Sequence, residues 1–141
     1  MKYHFKIHKE GKGFWAECLE IPECVTQGDS KEELFENMKD AINTYLEEPE
    51  GSQFLSPLPR KFFKKSRSIV EISVEPSVAL AFSIRRERIQ KGFTQKEVAQ
   101  KLGMKGLYSY QRLERKCNPT LEVLFKLVCI FPALSLDQIL R

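Results

Sequence analysis

The segment Lys91–Thr120, KGFTQKEVAQKLGMKGLYSYQRLERKCNPT, carries the reading on which the organisation of this 141-residue chain turns. Thr94-Gln95-Lys96-Glu97 has capping-box spacing: a Thr hydroxyl accepts from an orphan backbone N–H of the first turn, and the Glu three residues on reaches back to the cap. Val98, Ala99 and Leu102 then fall on one helical face. Gly103 permits a tight turn into a second helix with Leu107, Tyr110 and Leu113 on its inner side. Lys105, Tyr108, Ser109, Gln111 and Arg112 lie at its start or on its outer side. Two short helices joined this way make a helix-turn-helix. The major groove of B-DNA admits one α-helix, held there by a first helix that crosses the backbone, so the segment is expected to bind DNA.

Helical signals continue on both sides. Pro76 or Ser77 opens a helix to Lys91 bearing Val78, Ala81, Phe82, Ile84 and Ile89, with Gly92 supplying a left-handed residue past its end. Pro119-Thr120 starts another with Leu121, Leu124, Leu127 and Val128 inward, and Ser135 caps a short last one. Five helices are expected to form a bundle.

The first half has a different period. Tyr3, Phe5 and Ile7 alternate with Lys2, His4, Lys6 and His8, which predicts a half-buried strand with both histidines on a solvated face. Gly11-Lys12-Gly13 turns the chain into a second strand, where Phe14, Ala16 and Cys18 share a face and Trp15 and Glu17 take the other. Cys24 to Gln27 is short and β-branched enough for a third strand, ended by Gly28-Asp29. Ser30-Lys31-Glu32-Glu33 is a second capping box. It opens a helix whose stripe of Leu34, Met38, Ala41, Ile42, Tyr45 and Leu46 covers one sheet face, with Pro49 and Gly51 closing it. Residues 49–67, with Pro57, Pro59 and Arg60-Lys61-Phe62-Phe63-Lys64-Lys65, show no period and form a connecting arm. Ser68 to Val74 alternates again, a fourth strand returning to the sheet with Val70, Ile72 and Val74 inward. The expected class is α+β: a β-β-β-α-β domain over 1–75, then an all-α domain over 76–141.

Charge divides the chain in the same sense. Residues 1–58 hold 6 basic and 12 acidic groups, net −6, and residues 59–141 hold 17 and 7, net +10. A basic half suits the phosphate backbone, and an acidic half is repelled by it and needs another partner. Cys18, Cys24, Cys117 and Cys129 have no close ligand spacing and are expected to be packing residues, with no metal or cofactor implied. The apolar runs span only a few residues and the N-terminus lacks a signal core, so the expectation is a cytoplasmic protein with no membrane segment.

Ala81 to Leu140 resembles the five-helix DNA-binding domain of the Cro and lambda-repressor type. The resemblance rests on Ile84-Arg85, Arg88, Gly92-Phe93-Thr94-Gln95, Glu97-Val98-Ala99, Leu102-Gly103, Arg112-Leu113-Glu114-Arg115 and Asn118-Pro119-Thr120-Leu121. The turn after Gly103 is one residue longer than the commonest pattern, and Lys116-Cys117 replace the glycine that usually follows Glu-Arg. The first half resembles a HicB-type antitoxin in Gly13-Phe14-Trp15-Ala16-Glu17, Ile21-Pro22-Glu23-Cys24, Thr26-Gln27-Gly28-Asp29-Ser30 and the helix Glu33 to Tyr45, with Glu23 where a glycine is usual. In that family a domain shaped like part of a ribonuclease H fold precedes a DNA-binding module.

These resemblances imply a double role. The N-terminal domain would silence a small HicA-type toxin that cleaves messenger RNA, and the C-terminal domain would repress the operon encoding both. An acidic domain suits a ribonuclease toxin, which must present a basic surface to its RNA. Gln95, Lys105, Tyr108, Ser109, Gln111, Arg112 and Arg115 are the expected DNA contacts, with Gln95 on a phosphate as its family counterpart is. Arg85 is read as structural, and one of the arginines as pairing with Glu114 or Glu97. Reading inverted half-sites requires a homodimer or a higher even oligomer. Glu17, Glu20, Glu23 and Asp29 are the expected toxin contacts. Two other readings use the same residues. One is a transcriptional regulator whose N-terminal domain senses a ligand or protein. The other is a ribonuclease H-like metal nuclease built on those four acids, which negative charge opposes because it repels nucleic acid, so no catalytic residue is assigned.

Overall fold

The computed structural model describes residues 1–47 and 52–141. Pro49 and Gly51, expected to close the first helix, lie outside the described residues. The chain divides into two compact units, residues 1–46 with 56–75, and residues 76–140 with the described part of 47–55.

In the first unit, strands β1 (Lys2–Glu10), β2 (Gly13–Cys18), β3 (Val25–Gly28) and β4 (Ile69–Ser73) form one antiparallel sheet in the order β3-β2-β1-β4. Gly11, at φ +58°, takes the first central position of the two-residue β1–β2 turn, a conformation that only glycine adopts without strain. Helix α1 (Lys31–Leu46) crosses from the β3 edge to β4 and buries Leu34, Met38, Ile42 and Leu46 against Tyr3, Phe5, Ala16, Cys18 and Ile72 of the sheet. Its start departs from the expected box in one bond. The Ser30 hydroxyl accepts from the Glu33 N–H at 3.1 Å, but the Glu33 carboxylate reaches the N–H of Asp29, one residue before the cap, at 2.8 Å. Gly28 makes that entry possible, because a Cβ there would stand 2.6 Å from the Leu34 nitrogen.

The opposite face of the sheet is not left to water. His4, expected to be solvated, is 6% exposed. Its Nδ1 lies 2.6 Å from the Glu20 carboxylate and its ring 4.4 Å from the Phe63 ring. Glu20 also accepts from the His4 N–H at 3.0 Å and from the Arg60 N–H at 3.2 Å. From the α1 face, Tyr3 donates its hydroxyl to the Pro57 carbonyl at 2.8 Å, which fixes the start of the same segment. Residues 52–68 have no helix or strand, as a segment without period should, yet from Pro57 to Phe63 they are fastened to β1. His8 keeps a half-exposed position, stacked on Trp15 across the β1–β2 pair at 4.0 Å.

The second unit comprises α2 (Pro76–Gln90), α3 (Gln95–Lys101), α4 (Leu107–Leu113), α5 (Leu121–Ile130) and α6 (Leu136–Leu140). Helix α2 is buried on nearly every side, with Val78, Ala79, Leu80, Ala81, Phe82, Ile84, Arg85 and Arg88 all inside, and is its central element. Gly92 (φ +71°) and Gly103 (φ +72°) end α2 and α3 in the same way. In each, the glycine N–H and the next N–H return to the helix, Gly92 to Ile89 and Phe93 to Arg88, Gly103 to Gln100 and Met104 to Ala99, which satisfies carbonyls the helix end would leave bare. Leu121, expected inward, is 83% exposed, because the buried side of α5 centres on Leu124, Leu127 and Phe131 and Leu121 falls at the first turn, beside the exposed Phe125.

Cys18, Cys24 and Cys117 are buried, whereas Cys129 is exposed on α5, so the packing role holds for three of the four. Burial pushes the thiols of Cys18 and Cys117 up to about 12 and that of Cys24 up to about 11. Since the thiolate is the reactive form, native protein should show one fast-reacting thiol toward an aromatic disulfide reagent, and Cys129→Ser should abolish that phase. Fast reaction of further thiols in the folded protein would contradict the packing described.

Candidate nucleic-acid interface

Helix α3 opens at Thr94, whose side chain accepts from the Glu97 N–H at 3.1 Å while Glu97 accepts from the Thr94 N–H at 3.4 Å, the full capping box. Residues 102–106 form the turn, and α4 begins at Leu107 after Gly106, which offers no side-chain cap. That start sets the register of the outer helix. Tyr110 is fully buried. At about 100° per residue, Tyr108 and Arg112 project opposite it, with Ser109 and Gln111 on the flanks. Tyr108 is 66% exposed, and Ser109 and Arg112 are exposed as well. Leu107, expected inside, is 43% exposed because it stands on the first turn, ahead of the buried position at Tyr110.

What holds α4 against α3 is a buried carboxylate. Glu114, directly past α4, is 6% exposed and accepts from three elements. Arg88 of α2 donates through Nε and, at 3.1 Å, through Nη2. Gln95 of α3 donates through Nε2 at 3.0 Å, and the Tyr110 hydroxyl of α4 donates as well. Arg88 also donates through Nη1 to the Phe93 carbonyl at 3.0 Å, between α2 and α3. Burial pulls the Arg88 pKa down, but the hydrogen bond and charge of Glu114 more than reverse this, and the net shift is upward. The Tyr110 phenol is pushed far up, first by burial and then by the Glu114 charge. Arg85 is buried with its guanidinium 5.8 Å from the Phe82 ring, a structural place as expected.

Gln95 and Gln111 join this network. Gln111 Nε2 donates to Gln95 Oε1 at 3.2 Å while Gln95 Nε2 holds Glu114. The two amides are thereby oriented at the surface where α3 meets α4. Lys105 lies in the turn before α4 and Arg115 just past its end, both exposed.

Residues 84–139 match the family described as Helix-turn-helix. This segment is a helix-turn-helix domain. Over 104 residues, 73% of this chain, the protein is 26% identical to Antitoxin HicB of Pseudomonas fluorescens (strain Pf0-1), covering 69% of that protein. The chain is thus similar to a HicB-type antitoxin ending in a helix-turn-helix, which supports an antitoxin or a transcription regulator, and neither match is to an enzyme.

The four acids outside the helix-turn-helix do not converge. Glu20 is buried, with its carboxylate committed to His4 and Arg60, and so is not available to a partner's surface. Glu17 is half-exposed and 3.3 Å from His8 Nε2. Glu23 and Asp29 are exposed at opposite ends of β3. Among the described residues no three of His, Cys, Asp and Glu gather as metal ligands would. Sequence reasoning missed Glu114 as the organiser of the helix-turn-helix beyond a possible arginine pair. The available signal was that Gln95, Tyr110 and Arg88 all fall one helix step from inward positions. No helix among the described residues is long and apolar enough to cross a membrane.

Removing one partner of a buried pair leaves the other charge uncompensated. Glu114→Ala should therefore destabilise the helix-turn-helix by about 3–5 kcal/mol in urea unfolding. A loss near zero would show that the carboxylate does not hold these helices. The Tyr110 shift has a definite sign. Its neutral form is favoured by folding, so its contribution is complete below the unfolded phenol pKa near 10 and is lost as pH rises beyond it. Melting temperature should fall above pH 10, and less steeply in Tyr110→Phe.

Proposed function

We propose that this protein is an antitoxin and autorepressor, whose N-terminal unit neutralises a small basic HicA-type ribonuclease toxin and whose helix-turn-helix binds the operator of the operon encoding both. The observation that carries this reading is the likeness to Antitoxin HicB over most of the chain, joined to a helix-turn-helix domain. No chemical step is catalysed.

The distribution of charge supports one particular face for the toxin. Residues 1–46 and 56–75 of the first unit hold 11 basic and 11 acidic groups, because the cations of residues 60–67 belong to it. Net charge therefore does not draw the toxin, and a local acidic face must. Glu32, Glu33, Glu36 and Asp40 of α1 are exposed, with Glu23 and Asp29 at the ends of the adjoining β3. This face suits a cationic RNA-binding surface and would shield it from substrate. Glu17 points to the sheet face opposite α1, beside His8, and Glu20 is buried, so neither belongs to this face.

On the DNA side, Tyr108, Ser109, Gln111 and Arg112 face the major groove, and Gln95, Lys105 and Arg115 contact phosphates. Two copies read inverted half-sites about one turn of DNA apart. Gln111→Ala and Arg112→Ala should each weaken binding to the upstream promoter by about 1–3 kcal/mol, measured by anisotropy at fixed salt. Unchanged affinity in both would remove α4 from the groove. Charge reversal on α1 by Glu32→Lys with Glu36→Lys should abolish co-purification with the toxin while promoter binding persists. Retained co-purification would place the toxin elsewhere on the chain. Absence of a small basic partner in the neighbouring gene would favour a regulator of another kind.

A further inference from the structure

The arm Arg60-Lys61-Phe62-Phe63-Lys64-Lys65-Ser66-Arg67 holds five cations in eight residues and no carboxylate. Neither the operator-binding helices nor an acidic toxin-binding face has a use for it, and a cationic toxin would be repelled by it. We propose that this arm, with the hollow beside it, is a binding site for single-stranded nucleic acid, independent of the helix-turn-helix.

The arm is held in place. The Arg60 N–H is bonded to the buried Glu20, the Phe63 ring lies on His4, and the Ser68 carbonyl accepts from the Ile7 N–H at 2.7 Å, so both ends of the basic run are tied to β1. The Arg60 guanidinium lies 5.2 Å from the Phe63 ring. Lys61, Lys64, Lys65 and Arg67 are exposed, and among the described residues no ion pair engages them. Phe62, in the middle of these cations, is 92% exposed and presents a bare aromatic face. A hollow of about 440 Å³ opens alongside, walled by His4, Phe63, Lys61, Lys64 and Lys65. Its one carboxylate, Glu71, is 3.6 Å from His4 Nε2 and 3.9 Å from Lys2 Nζ.

Cations spaced along an extended backbone track phosphates, and aromatic rings among them stack on bases, the pairing of features by which proteins hold single strands without sequence preference. A duplex keeps its base faces stacked on one another and would leave Phe62 without a partner. A single strand offers both phosphates and unstacked bases.

The test uses the full-length protein with fluorescent U or dT oligonucleotides of about ten nucleotides, a non-operator duplex of equal length, and phosphatidylglycerol vesicles, over a range of salt. Phe62→Ala should weaken oligonucleotide binding at least about fivefold and Phe62→Tyr should restore it. Changing Lys61, Lys64 and Lys65 together to Gln should reduce the log-log salt slope by about 2. Because Phe62 and the lysines are exposed, the variants should keep the wild-type melting curve. Tighter binding of U than dT would identify RNA as the ligand, and the reverse DNA, and either supports the proposal. Equal oligonucleotide affinity in wild type and variants, arm-dependent preference for the duplex, or arm-dependent binding of vesicles with none of oligonucleotide would each overturn it.

Discussion

The presentation of α4 depends on the carboxylate of Glu114. Two helices of seven residues each are too short to be stable alone, since nucleating a helix costs more than so few hydrogen bonds return. The Glu114 carboxylate replaces that missing length with tertiary bonds, accepting from Arg88, Gln95 and Tyr110 and so gathering α2, α3 and α4 at one point. A buried ion pair is an inefficient source of stability in itself, because desolvation offsets much of the attraction. Its bonds are directional, however, and an apolar contact of equal area would let α4 rotate. The side chains that face outward, Tyr108 and Arg112, are aimed by a network on the opposite side of the same helix.

The first unit uses the same device for another purpose. Glu20 follows β2, is buried, and accepts from the His4 and Arg60 backbone N–H groups while its carboxylate lies beside the His4 ring. These bonds draw a segment without secondary structure over the second face of a small sheet. A four-stranded sheet with one helix has one face left to cover, and here an extended arm covers part of it. The arm brings its cations along, which turns a region acidic in sequence into a unit of nearly balanced charge with two faces of opposite sign.

Function follows from that separation of signs. Acidic side chains of α1 and the β3 ends form one surface, the cations of residues 60–67 another, and the helix-turn-helix a third. Electrostatic attraction between exposed groups fades over about a Debye length, roughly 8–10 Å at ordinary salt. On the proposed reading, the acidic face serves a protein partner and the cationic surfaces serve nucleic acid.

Much of this was legible before any coordinates. Alternation in Tyr3, Phe5 and Ile7 marked β1, the Thr94 and Ser30 boxes marked helix starts, and Gly92 and Gly103 marked helix ends. These signals are local: a period of two or of 3.6, a cap or a left-handed glycine acts within a few residues and is written in the order of the chain. Tertiary structure decided what depends on distant partners. Glu20 and His4 were indistinguishable in sequence from exposed neighbours and became buried because Arg60 and Phe63 arrive from some forty to sixty residues away. Leu121 resembled a core residue and stayed outside because the buried side of α5 centres on Leu127, and Leu121 falls at its exposed first turn. Burial of a polar group requires that its bonding partners be brought to it, and closure of the chain on itself, not local pattern, supplies them.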